Sequence, residues 1–128
     1  MKTFCVAAFA IVLMAFATLS LSAEIPFSQA QFDATRDAGK PMAVVFHADW
    51  CPTCRAQAPI LKTLSESREL SGVTLFVANF DTEKTLKRSL GITKQSTIVV
   101  FKDGKESARS TGDTQQESLS ALLHHAIS

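Results

Sequence analysis

The sequence predicts an α/β fold: a central mixed β-sheet with helices on both faces. Three observations carry this. Met42 to Ala48 and Val73 to Phe80 are continuous apolar runs, the pattern of strands buried on both faces. Helix-patterned segments alternate with these runs, which implies parallel pairing and crossover helices. Asp103-Gly104 then lies between two strand-like stretches, a strong two-residue hairpin signal that adds an antiparallel edge.

The elements follow in order. Ser28 to Ala38 reads as a short helix, capped by Ser28 and anchored by Phe27 and Phe32, and Gly39-Lys40-Pro41 stops it. The first strand is Met42 to Ala48. A long helix runs from Pro52 to about Arg68, with Ile60, Leu61 and Leu64 on one side and a kink expected at Pro59. Gly72 breaks the chain before the strand Val73 to Phe80. Asp81 or Thr82 should cap a helix through Leu90, which Gly91 ends. Thr97 to Lys102 and Glu106 to Thr111 are the arms of the hairpin, and Asp113 or Thr114 should cap a last helix reaching about Ile127.

The first 23 residues have a different character. Lys2 is followed by an apolar run from Cys5 to Leu19, then by the small-residue segment Ser20-Leu21-Ser22-Ala23. That is the layout of a secretory signal peptide. The run is shorter than the roughly 20 residues of a membrane-spanning helix, which counts against an uncleaved anchor. The expectation is a signal at 1–23, one domain at 24–128, a periplasmic or secreted location and no membrane insertion after cleavage. The chain carries 13 Lys and Arg against 12 Asp and Glu. Lys2 accounts for the surplus, so residues 24–128 are balanced, which argues against nucleic acid as a partner. No coiled-coil pattern suggests assembly, so a monomer is expected.

The chemistry sits in Cys51-Pro52-Thr53-Cys54, the two cysteines downstream of residue 23. An even count and an export signal suit an oxidising compartment. A bridge across so short a loop does little for stability in the chain-entropy model, so a reversible bond is the better reading. Only a thiolate attacks a disulfide. The N-terminus of the long helix offers partial positive charge and free N–H groups to Cys51, which makes it the nucleophile. Cys54, one turn inward, is placed to resolve the mixed disulfide. Pro52 fits the first turn, where its missing N–H costs nothing. Half of a zinc knuckle is the competing reading. Zinc wants four ligands, and the sequence has no second paired motif and no cofactor signature.

These residues resemble the thioredoxin family over nearly all of Ser28 to Ile127. The matching stretches are Val44-Val45-Phe46-His47-Ala48-Asp49-Trp50-Cys51-Pro52-Thr53-Cys54, Pro59, Asn79-Phe80-Asp81, and Thr97 to Gly104. The resemblance implies a thioredoxin fold and a thiol–disulfide oxidoreductase, with Cys51 as nucleophile and Cys54 as resolving thiol. Its partners would be client protein thiols or disulfides and a redox partner protein. Trp50, Pro52, Thr53, Gln95, Ser96 and Thr97 would form the environment of the dithiol.

Three departures from the family pattern stand out. The family keeps a cis-proline before the third strand of this reading, facing the dithiol. Here Ser96 takes its place in Gln95-Ser96-Thr97. A cis bond before a non-proline costs roughly 2.5–4 kcal/mol, so a trans Gln95–Ser96 bond is expected, or a strained cis one. The family's buried aspartate six residues before the nucleophile is Val45, and its partner lysine is Val77. Asp49 and His47 are then the nearest candidates for a proton relay. Loss of the proline also raises an alternative: a non-catalytic dithiol that holds a metal or iron–sulfur cluster between two chains.

Overall fold

The computed structural model describes residues 24–128; the expected signal segment at 1–23 lies outside them. Nine elements follow one another: β1 (Glu24–Pro26), α1 (Gln29–Asp37), β2 (Met42–His47), α2 (Pro52–Ser65), β3 (Thr74–Asn79), α3 (Lys84–Leu90), β4 (Thr97–Lys102), β5 (Lys105–Thr111) and α4 (Gln116–His124). They build a five-stranded sheet in the order β1-β3-β2-β4-β5. Apolar β2 lies at its centre, where Met42 to Phe46 are all buried. β3 runs parallel to β2 with Val45 opposite Val77, and β1 runs parallel to β3.

Helices cover both faces, as alternating strands and helices require. On one face Leu61 and Leu64 of α2 and Leu119, Leu122 and Leu123 of α4 pack on Ala43, Val45, Leu75 and Ile98. On the other, Phe32 of α1 and Leu86 of α3 pack on Val44, Phe46, Phe76 and Val99. Residues 43 and 45 point one way and 44 and 46 the other, the two-residue period of a strand. Phe27, Phe32, Phe76 and Phe101 meet mostly edge to face, with ring centroids 5.5–6.3 Å apart. Such contacts add about 0.5–1.5 kcal/mol each beyond buried area.

The structure corrects the expected layout in five places. β1 is an additional edge strand; three residues give no alternation to read. β4 pairs antiparallel with β2 as well as with β5, so the antiparallel part of the sheet begins one strand earlier. α2 continues through Pro59 but ends at Ser65 instead of Arg68. There the hydroxyls of Ser65 and Ser67 donate to the carbonyls of Lys62 and Leu64, at 2.8 and 2.7 Å, and compete with helix continuation. Neither α3 nor α4 starts at the expected cap. Glu83 and Gln115 occupy the cap positions without a side-chain bond. Instead Asn79 and Asp113 accept the N–H groups of Asp81 and Gln115 at 2.9 Å, forming turns ahead of the helices.

α4 likewise stops at His124, short of the expected Ile127, while the start of α1 and the end of α3 fall where local chemistry put them. Ser28 caps α1 and accepts from the Gln31 N–H. Gly91 ends α3 at φ 67°, a left-handed conformation that suits glycine.

Candidate active site

Cys51 and Cys54 lie at the carboxyl end of β2, where chain emerging from the sheet turns into α2. Cys51 is the N-cap of α2, and its sulfur accepts the Cys54 N–H at 3.2 Å. Pro52 takes the first turn, and the Cys51 carbonyl accepts the Arg55 N–H at 3.0 Å. Both thiols are free and buried, only 2% and 1% exposed, and they pack with Ala48 and Phe80.

Ser96 faces them from the loop before β4. Its hydroxyl oxygen lies 2.9 Å from the Cys54 sulfur and 3.4 Å from the Cys51 sulfur. The Gln95–Ser96 peptide is trans, since no described bond is cis, and Ser96 has φ 61°. A non-glycine residue in that region carries about 1–3 kcal/mol of strain and persists only where its surroundings hold it. They do so here. The Ser96 N–H donates to the Phe46 carbonyl at 2.8 Å, and its carbonyl accepts from the Gly112 N–H at 3.1 Å. Gln57, on α2, donates to the same Ser96 carbonyl at 3.4 Å and to the Asp113 carbonyl at 2.9 Å. Thr97 beside it shares a hydroxyl contact of 2.9 Å with Thr111 and donates to the Lys94 carbonyl at 2.8 Å.

The two thiols are electrostatically unequal. Burial pushes the Cys51 thiol up, but hydrogen bonds from the Cys54 thiol, the Ser96 hydroxyl, the Cys54 N–H and the Gln95 side chain outweigh it. The thiol is lowered from 9.0 to about 7. Burial raises Cys54, and so does its hydrogen bond to Cys51; Ser96 and the Ala48 backbone act in the opposite sense. A thiol near neutrality beside one that keeps its proton suits stepwise exchange.

The other expected site residues arrange themselves around this pair. Trp50 is 56% exposed, and its indole N–H donates to Asp81 at 2.8 Å. Thr53 is half-buried and Pro52 exposed. His47 and Asp49 bond to each other, at 2.9 Å, with the Asp49 side chain wholly exposed. The polar contacts of the two sulfurs go to each other, to Ser96, to the Gln95 side chain, to the Phe46 carbonyl at 4.0 Å and to the backbone of Cys54 and Ala48. Val45 and Val77, where the family carries an acid and a lysine, are an apolar pair directly across β2 and β3. Gln57 is the residue the sequence reading overlooked. Its signal was present: Cys54, Gln57, Leu61 and Leu64 share one helical stripe, so a polar residue stood at a buried position.

A buried dithiol at a helix N-terminus, below the carboxyl edge of such a sheet, defines a protein of the thiol–disulfide exchange class. The comparisons agree. The thioredoxin family model matches residues 24–125. Thioredoxin of Chlamydia muridarum is 35% identical over 80 residues, covering 62% of this chain and 76% of its own. Thioredoxin of Alicyclobacillus acidocaldarius is 31% identical over 101 residues, covering 79% and 95%. The crystal structure of Trxlp from Edwardsiella tarda superposes with a TM-score of 0.75 at 35% identity, covering 78% of this chain and 96% of that one. The chain belongs to the thioredoxin family. It is a thiol–disulfide oxidoreductase, and the metal-holding alternative is not favoured. Among the described residues, no three of His, Cys, Asp and Glu gather to hold a metal ion.

Proposed function

We infer that this chain is an exported oxidoreductase that exchanges electrons with disulfides of client proteins, with Cys51 as nucleophile and Cys54 as resolving thiol. The observation that carries the reading is the Cys51 sulfur at the N-cap of α2, accepting the Cys54 N–H at 3.2 Å. That bond and the helix dipole favour thiolate at Cys51. In the first step a Cys51–client S–S bond forms and the client disulfide breaks, leaving the electron pair on the departing client sulfur. In the second, Cys54 attacks Cys51, the Cys51–Cys54 bond forms, and the second client thiol leaves. The client is reduced by two electrons and the dithiol is oxidised. A redox partner protein then returns it to the dithiol. Reduction or isomer repair is the favoured direction, in keeping with the resemblance of the Ala48-Asp49-Trp50-Cys51 run to a carrier that supplies reductant to the bacterial periplasm.

Export rests on the signal-like segment at 1–23. Two measurements test the whole reading. Dithiol-driven reduction of insulin disulfides should be seen with the wild type and vanish in Cys51→Ser. Turnover surviving that change would overturn the assignment of the nucleophile. The periplasmic protein should have the mass of a chain starting at Glu24; a cytoplasmic protein retaining residues 1–23 would overturn export.

A further inference from the structure

The exchange chemistry leaves one buried hydroxyl in contact with both sulfurs, that of Ser96. We propose that Ser96 is a catalytic residue of this dithiol: its hydroxyl donates to the Cys51 sulfur as that becomes a thiolate, and it takes the Cys54 proton when Cys54 attacks. This deepens the exchange reading of the same site and rests on it.

Geometry carries the assignment. The hydroxyl is 2.9 Å from the Cys54 sulfur and 3.4 Å from the Cys51 sulfur, within a residue 2% exposed. A hydroxyl has one donor and two acceptor lone pairs, so it can accept from one sulfur while donating to the other. Cys54 has few other outlets. Besides the Cys51 sulfur, its other contacts are the Ala48 backbone and the Phe46 carbonyl at 4.0 Å, backbone groups that cannot pass a proton onward. Of the other polar groups, the Gln95 side chain bonds Cys51 and, as an amide, is no base, while His47 is engaged with Asp49 and Asp81 with the Trp50 indole. Val45 and Val77, paired across β2 and β3, offer no titratable group. The hydroxyl is also held in place. Bonds from Ser96 to Phe46, Gly112 and Gln57 keep the residue in its left-handed conformation, so the hydroxyl cannot turn away with the loop.

The steps balance. Before attack, the Ser96 proton points at the Cys51 thiolate. Once Cys51 is joined to the client, its charge and its hydrogen bond no longer hold Cys54 protonated. The Cys54–Cys51 bond then forms and the Cys51–client bond breaks. The Cys54 proton passes to the Ser96 oxygen as the Ser96 proton passes to the client sulfur leaving beside Cys51. No outside acid, base or oxidant is consumed.

The test reads the two steps separately without needing the natural client. Reduced protein is mixed with 5,5′-dithiobis(2-nitrobenzoate), and thionitrobenzoate release is followed at 412 nm. The first release reports attack by Cys51 and the second reports resolution by Cys54. Ser96→Ala removes the hydroxyl and keeps the Cβ; Ser96→Gly removes it and relieves the backbone. Both variants should slow the second release by roughly tenfold to a hundredfold, at or below the usual contribution of a positioned acid–base group. Their second-phase rate should also follow hydroxide more steeply than the wild type's. An unchanged second phase in Ser96→Ala overturns the proposal while leaving the exchange reading intact. Slowing in Ser96→Ala that is absent in Ser96→Gly also overturns it, assigning the effect to the backbone. A wild type that gives no second release sinks the exchange reading itself. In that event the Cys51 thiolate absorbance at 240 nm still decides: an upward midpoint in Ser96→Ala supports the donor role, and an unmoved midpoint refutes it.

Discussion

Two residues other than glycine take a left-handed backbone among those described, Asp103 at φ 52° and Ser96 at φ 61°. They stand in opposite circumstances. Asp103 is exposed at the tip of the β4–β5 hairpin, followed by Gly104 at φ 80°. Aspartate tolerates this conformation, and the turn's twist matches the strands it joins. Ser96 is buried, has no glycine beside it in sequence, and is held by bonds from β2, α2 and the β5–α4 loop. Left-handed backbone at the hairpin is a device for reversing the chain. At Ser96 it is imposed by surrounding structure and aims a hydroxyl at two sulfurs.

The contrast can be broken by substitution. Valine at Ser96 is the most severe test, because a β-branched side chain at positive φ is a genuine outlier and the hydroxyl contacts vanish. We expect a loss of about 2–4 kcal/mol in urea unfolding, against about 1 kcal/mol for Asp103→Val at the exposed turn. Equal losses at the two sites would erase the distinction. Gln57→Leu comes next. It leaves the Ser96 and Asp113 carbonyls without their side-chain donor, and should lower stability by about 1–3 kcal/mol.

A third effect is a pH dependence confined to the chemical loop. The folded Cys51 thiol lies at about 7, below its ordinary 9.0. Between those values the unfolded chain binds more protons, so stability of the reduced protein should rise from pH 7 towards 9 and be lost as pH falls through 7. Raised Cys54 acts against this only above about pH 9, where the unfolded thiol would ionise first. The gain from pH 6 to 8.5 should be about 1–2 kcal/mol by urea midpoint, absent in Cys51→Ser and reduced in Ser96→Ala. A wild-type stability flat across that window would contradict the depressed thiol. The smallest effect belongs to the turn. Asp103→Asn keeps a residue that tolerates φ > 0, and its melting temperature should correspond to a change within about 0.5 kcal/mol.

The same two sites show what was legible in the sequence. Asp103-Gly104 announced its turn because local propensity and the fold agree there. The apolar runs of β2 and β3, the helix end at Gly91 and the dithiol at the start of α2 were read for the same reason. Ser96 could be located only by what it replaced. The missing proline foretold a trans bond, but no local preference of serine foretold a left-handed one, because tertiary bonds impose it. Three-residue β1 carried too little pattern, and pairing direction between β2 and β4 is not written in either strand. The expected caps failed because Asn79 and Asp113 close turns on the N–H groups of Asp81 and Gln115 ahead of each helix. Gln57 was hidden for a different reason: a polar residue on a buried stripe looks like an irregularity until its two carbonyl partners, distant in sequence, are known.

The indole bonded to Asp81 has one further consequence. The chain holds one tryptophan and no tyrosine, so emission excited beyond the phenylalanine absorption band arises from Trp50 alone. That ring precedes Cys51 in sequence, is half in solvent, and is held by a hydrogen bond of 2.8 Å. The molecule therefore carries a single fluorophore at its working edge, and every change of partner or oxidation state there can be followed optically without a label.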